Sequence, residues 1–116
     1  MKFLTLVLLV MAPAAQAHDA EIVKAVGSGA DGKYGFSVTL THPETGWDDY
    51  ADGWRVELED GTVLGTRVLV HPHVNEQPFT RSLSGVAVPS GTNQVFIRAK
   101  TLVDGWSDST LAVPLN

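Results

Sequence analysis

One pattern governs this chain: short runs in which apolar and polar residues alternate, each stopped by Gly, Pro, Asp or Asn, with no stretch holding a helical period over three turns. A period of two puts successive side chains on opposite faces of a strand, so such runs build sheets with one buried and one wet face. In YGFSVTLTH, Phe36, Val38 and Leu40 form the buried set and Ser37, Thr39 and Thr41 the wet one. In WRVELEDGTVLGTRVLV, Trp54, Val56 and Leu58 point inward and Arg55, Glu57 and Glu59 outward. Asp60-Gly61 then turns the chain, as Asp-Gly does in tight hairpins, into a return arm from Thr62 to Val70. AEIVKAV before the stop GSGADGK, then FTRSLSGVAV, QVFIRAKTL and STLAVPL, supply the remaining strands. Seven strands at this spacing predict an all-β fold, a seven-stranded antiparallel sandwich.

The opening MKFLTLVLLVMAPAAQA has one cation, Lys2, an apolar run from Phe3 to Ala12, and small residues at Ala15 and Ala17. That is the layout of a signal peptide over residues 1–17, cut near Ala17. The run falls short of the roughly 20 residues that span a bilayer, so no stable membrane insertion is expected. Residues 18–116 then form a single β-sandwich domain, exported to a periplasm or the medium, of about the 100 residues typical of one. With no cysteine, that domain rests on its apolar core, and thiolate metal sites, cysteine nucleophiles and redox pairs are all absent. A formal charge of −5, made more negative by loss of Lys2, argues against nucleic acid as a partner.

The last two runs, NQVFIRAKTLVDGWSDSTLAVPL, resemble the closing hairpin of fibronectin type III and related immunoglobulin-like domains, and Trp54 fits the aromatic such sandwiches bury. The resemblance implies a fold and no activity. GWDDYADGW and VLVHPHVNEQPFTRSL also resemble segments of small uncharacterised exported bacterial proteins.

If the strands run up and down, their parity decides which pole each loop occupies. With His18 at the top, His42 ends an ascending strand, PETGWDDYADG is a top loop, and the fourth strand rises to His71 and His73. All four histidines then share one pole with Trp47, Asp48, Asp49, Asp104 and Trp106. Binding residues commonly sit on loops presented by such a scaffold.

Two functions fit that pole. Cleavage after Ala17 would make His18 the first residue, so its α-amine and imidazole could chelate one ion; with His71 or His73 as a third nitrogen, the set suits Cu(II). In residue types, though not in spacing or neighbours, this is similar to the histidine brace of exported copper proteins, some of them periplasmic β-sandwiches. That resemblance implies His18 as the terminal chelating ligand and one of His71 and His73 as the distant one, with His42 or Glu76 as a further ligand or an orienting partner. The protein is then a copper carrier or sequestering protein. The competing function is a metal-free interaction module that binds an envelope protein or glycan through loop residues Trp47, Asp48, Asp49, Tyr50 and Trp106, since aromatics are enriched in interface cores. Against the metal, HPHVNEQP also reads as a solvated turn shaped by its two prolines. Asp48, Asp49 and Asp52 lack the ligand spacing of a calcium loop. No phosphate loop, nucleophile elbow or facing acid pair points to an enzyme.

Overall fold

The computed structural model describes residues 18–115; the expected leader, residues 1–17, and Asn116 lie outside the described residues. The regular elements are β1 (Glu21–Ala30), β2 (Lys33–Thr41), β3 (Ala51–Glu57), β4 (Val63–Val68), β5 (Phe79–Ala87), β6 (Gln94–Thr101), β7 (Gly105–Trp106) and β8 (Leu111–Pro114), with no helix among the described residues. They make two antiparallel sheets, one ordered β1-β2-β5 and one of five strands ordered β4-β3-β6-β7, with β8 also paired to β6.

The alternation read from the sequence sets the core between the sheets. Phe36, Val38 and Leu40 of β2 meet Trp54 and Val56 of β3, Val95, Ile97 and Ala99 of β6, and Phe79 of β5, all buried. Each such large apolar side chain contributes about 1.5–3 kcal/mol on burial.

Three features depart from the simple pattern. First, β1 does not stop at GSGADGK: it runs to Ala30, and only Asp31 (φ 58°) and Gly32 (φ 77°) form the turn, the two left-handed residues a tight hairpin needs. Gly29 belongs to the strand because a Cβ there would lie 2.1 Å from the Lys33 carbonyl oxygen. Here glycine marks a close backbone approach rather than a break.

Second, there are eight strands rather than seven: the expected last strand, STLAVPL, is β8, and Gly105–Trp106, in what reads as a loop, adds the two-residue β7. β7 pairs with Lys100 and Thr101 and β8 with Gln94 to Ile97; between them the Ser107 amide still donates to the Ala99 carbonyl at 2.9 Å, and the chain leaves the ladder over residues 108–110. Ser107 has other partners there: its Oγ donates to Asp19 Oδ2 (3.2 Å) and accepts from the Ser109 amide (3.1 Å). The Arg98 guanidinium holds the Ser107 carbonyl at 2.6 Å. The Ser107 Oγ bond to the Ser109 amide is the local kind that competes with sheet pairing.

Third, Glu57 faces outward as expected, yet it is only 2% exposed. Arg55 Nε and Arg98 Nε reach its Oε2 at 2.6 and 2.7 Å and cover it. The Arg98 hydrogen bond, helped by Arg55 and opposed by burial, holds the Glu57 carboxyl below the usual range. Arg55 also lies over the Trp106 ring, 4.0 Å from its centroid.

Candidate functional site: a buried carboxylate beneath an apolar pole

Three loops close one end of the sandwich: 42–50 between β2 and β3, 69–78 between β4 and β5, and 102–104 between β6 and β7. The inward series of β2 does not stop with the strand. Phe36, Val38 and Leu40 are followed at the same period by His42 and Glu44, both buried.

Glu44 is the hub. Its Oε2 accepts the Ala51 amide at 2.6 Å and its Oε1 the His73 amide at 3.1 Å, so one carboxylate ties the first loop to the start of β3 and to the HPH loop. His42 Nδ1 lies 3.4 Å from Oε2, and His42 Nε2 donates to the His18 carbonyl at 2.8 Å. Asp49 Oδ1 stands 3.8 Å from the same Nε2. Gln77 adds a second tie: its Oε1 accepts the His42 amide and its Nε2 donates to the His73 carbonyl, both at 2.9 Å. A third comes from the Leu102 amide, which donates to the Tyr50 carbonyl at 2.9 Å and joins the β6–β7 turn to the first loop.

The candidate metal residues divide across this hub. His71 and His73 lie together, ring centroids 4.6 Å apart, and His73 stacks on Phe79 at 4.0 Å. His73 is buried, and neither ring nitrogen has a hydrogen-bond partner; Nδ1 comes within 3.5 Å of Glu44 Oε1. Burial, followed by the nearby positive charge of Arg81 and the neighbouring His71, pushes its pKa down, while Glu44 and Glu76 oppose the shift. His18 sits on the other side of His42, in an open cleft with Asp19, Asp104, Trp106 and Asp108. Glu76 is exposed and pairs with Arg81 at 3.0 Å. Among the described residues, no set of three His, Asp or Glu side chains converges so as to hold a metal ion.

The candidate partner-binding residues differ in exposure. A short turn closed by the Asp49 amide on the Gly46 carbonyl (3.2 Å) lifts Trp47 to the tip of its loop, 65% exposed. Tyr50 supports it edge-on at 5.8 Å and is itself half-buried. Asp48 is exposed, Asp49 turns toward His42, and Trp106 is half-buried beneath Arg55. Val70, Val74, Leu102 and Val103, none of which the sequence reading singled out, are exposed in the same loops. Such side chains at ordinary loop positions give no sequence signal until the loops are placed side by side. Glu44 did leave one: it is the next inward position after His42.

No protein-family model matches the chain, and no solved structure matches it. It is 44% identical over 78 residues to a protein of Halomicrobium mukohataei described as "Putative lipoprotein". The match covers 67% of this chain and 38% of that relative.

Proposed function

We propose that this protein is an exported, non-catalytic interaction module whose loop pole binds an envelope protein or glycan. The observation that carries the reading is Trp47, a large aromatic held out at 65% exposure on loops fixed from below by the buried Glu44. Exposed apolar residues that cluster on a rigid support are what an interface core requires. An envelope location draws support from the layout of residues 1–17 and from the lipoprotein description of the relative. None of the 116 residues is cysteine, so a thiol-linked lipid has no attachment point among them. The sheet orders support the fibronectin type III or immunoglobulin-like assignment: the first, second and fifth strands share one sheet, and the third and sixth share the other. The test is crosslinked capture from an envelope extract, in which Trp47→Ala loses the bound species and the parent retains it.

A second reading is Cu(II) binding, with His18, His71 and His73 as ligands and His42 and Glu76 in support. What favours it is His73, buried with two unpartnered ring nitrogens beside the His71 ring. It requires the mature terminus at His18 to approach across His42 when the ion binds. Calorimetric titration with Cu(II) tests it, and binding unchanged by His71→Ala and His73→Ala would refute it.

A further inference from the structure

The charges of the pole are as one-sided as its apolar residues. Of the eight Lys and Arg in the sequence, none falls in residues 18–20, 42–50, 69–78 or 102–110. Of the cations on the adjoining strands, Lys100 is engaged with Asp52 (2.7 Å), Arg81 with Glu76 (3.0 Å) and Arg55 with Glu57 (2.6 Å), while Lys24 on β1 and Arg67 on β4 stand back from the loops without an ion pair among the described residues. Among the described residues, Asp48, Asp104 and Asp108 have no ion pair and are exposed. The exposed surface of the pole is therefore apolar at Trp47, Val70, Val74, Leu102 and Val103, and the loops that carry it hold carboxylates and no Lys or Arg.

Resting on the interaction reading above, we infer that the occupant of this pole is a protein surface that is apolar at its centre and rimmed with Lys or Arg. Complementary potentials steer such a partner in and fix its register, while like charges repel the wrong ones. An anionic lipid surface is repelled by the same aspartates. A second copy meeting this face across a twofold axis would set aspartate against aspartate. A neutral glycan gains from the aromatics but not from the charge.

The test uses the full chain, 15N-labelled, and three synthetic amphipathic peptides sharing one length and one leucine pattern, with Lys, Gln or Glu at every polar position. The Lys peptide shifts the amides of residues 47–50, 70–74 and 102–104, binds about tenfold more tightly than the Gln peptide at low salt, and loses that advantage as salt screens the charges. The Glu peptide does not bind. In Asp48→Asn/Asp104→Asn the Lys peptide falls to the level of the Gln peptide. Equal binding of the Lys and Gln peptides at the pole overturns the charge inference and leaves the interaction reading standing. Shifts confined to other faces, or no binding of the Lys peptide, overturn the inference, and the capture by Trp47→Ala then judges the interaction reading alone. Cosedimentation with phosphatidylglycerol-containing vesicles, lost in Trp47→Ala, overturns it in favour of a membrane.

Discussion

Replacing Glu44 by Ala removes the acceptor of two buried backbone amides, those of Ala51 and His73. A buried donor left without a partner costs about 1–3 kcal/mol, so the two together cost about 2–6 kcal/mol. A domain of this size is stable by about 5–15 kcal/mol in total, so the loss is a large fraction of it. At about 4–8 °C per kcal/mol, even the lower end lowers the melting temperature by about 8–16 °C. Urea denaturation of parent and variant, fitted with a common slope, measures the difference. Hydrogen exchange locates it, because the Ala51 and His73 amides become fast in the variant. Glu44→Gln keeps one acceptor oxygen and falls between the two. A Glu44→Ala loss below about 1 kcal/mol, with both amides still protected, would refute the view that this carboxylate holds the loops together.

Glu57 makes a different prediction, governed by pH. Its pKa is depressed in the folded protein, so its pairing with Arg98 and Arg55 stabilises the fold above the unfolded carboxyl value and is lost as pH falls through the folded value. Glu57→Gln should cost about 1–3 kcal/mol at neutral pH and flatten the fall in stability below about pH 4, measured by denaturation at a series of pH values. His73→Phe should keep neutral-pH stability within about 1 kcal/mol, because neither ring nitrogen makes a hydrogen bond and the stack on Phe79 survives. Since the His73 pKa is lowered in the folded state, the parent loses stability as pH falls below the ordinary histidine value, and the Phe variant lacks that part of the slope. Gly29→Ala should destabilise by at least about 1–3 kcal/mol, because its Cβ meets backbone rather than a movable side chain.

The strand pattern was legible because burial follows a period of two wherever a strand has one dry face: Phe36, Val38, Leu40, Trp54 and Val56 are buried as the alternation requires. The same period carried through His42 to Glu44, but a polar residue at an inward position looks like the end of a strand until its partners are seen. Those partners, the amides of Ala51 and His73, are distant in sequence and left no mark on it. Glu57 was read as wet because alternation gives the direction of a side chain; it does not show that two arginines fold over it. The short β7 was hidden because Gly105–Trp106 looks like a loop, and the bond of Ser107 to Asp19 that fixes the chain beside it joins segments far apart in the chain. Loop tryptophans were equally ambiguous: Trp47 and Trp106 look alike in sequence, yet one stands at a turn tip and the other lies under Arg55.

The most direct test of the interaction pole compares two exposed apolar side chains in one assay. Trp47 lies on the pole, whereas Val26 is exposed on β1, away from the loops. Quantitative capture from an envelope extract, with the captured species identified by mass spectrometry, is run on the parent, Trp47→Ala and Val26→Ala, all verified as folded by thermal denaturation. Loss of one defined species in Trp47→Ala and its retention in Val26→Ala is the predicted result. Equal capture by all three proteins would contradict the account.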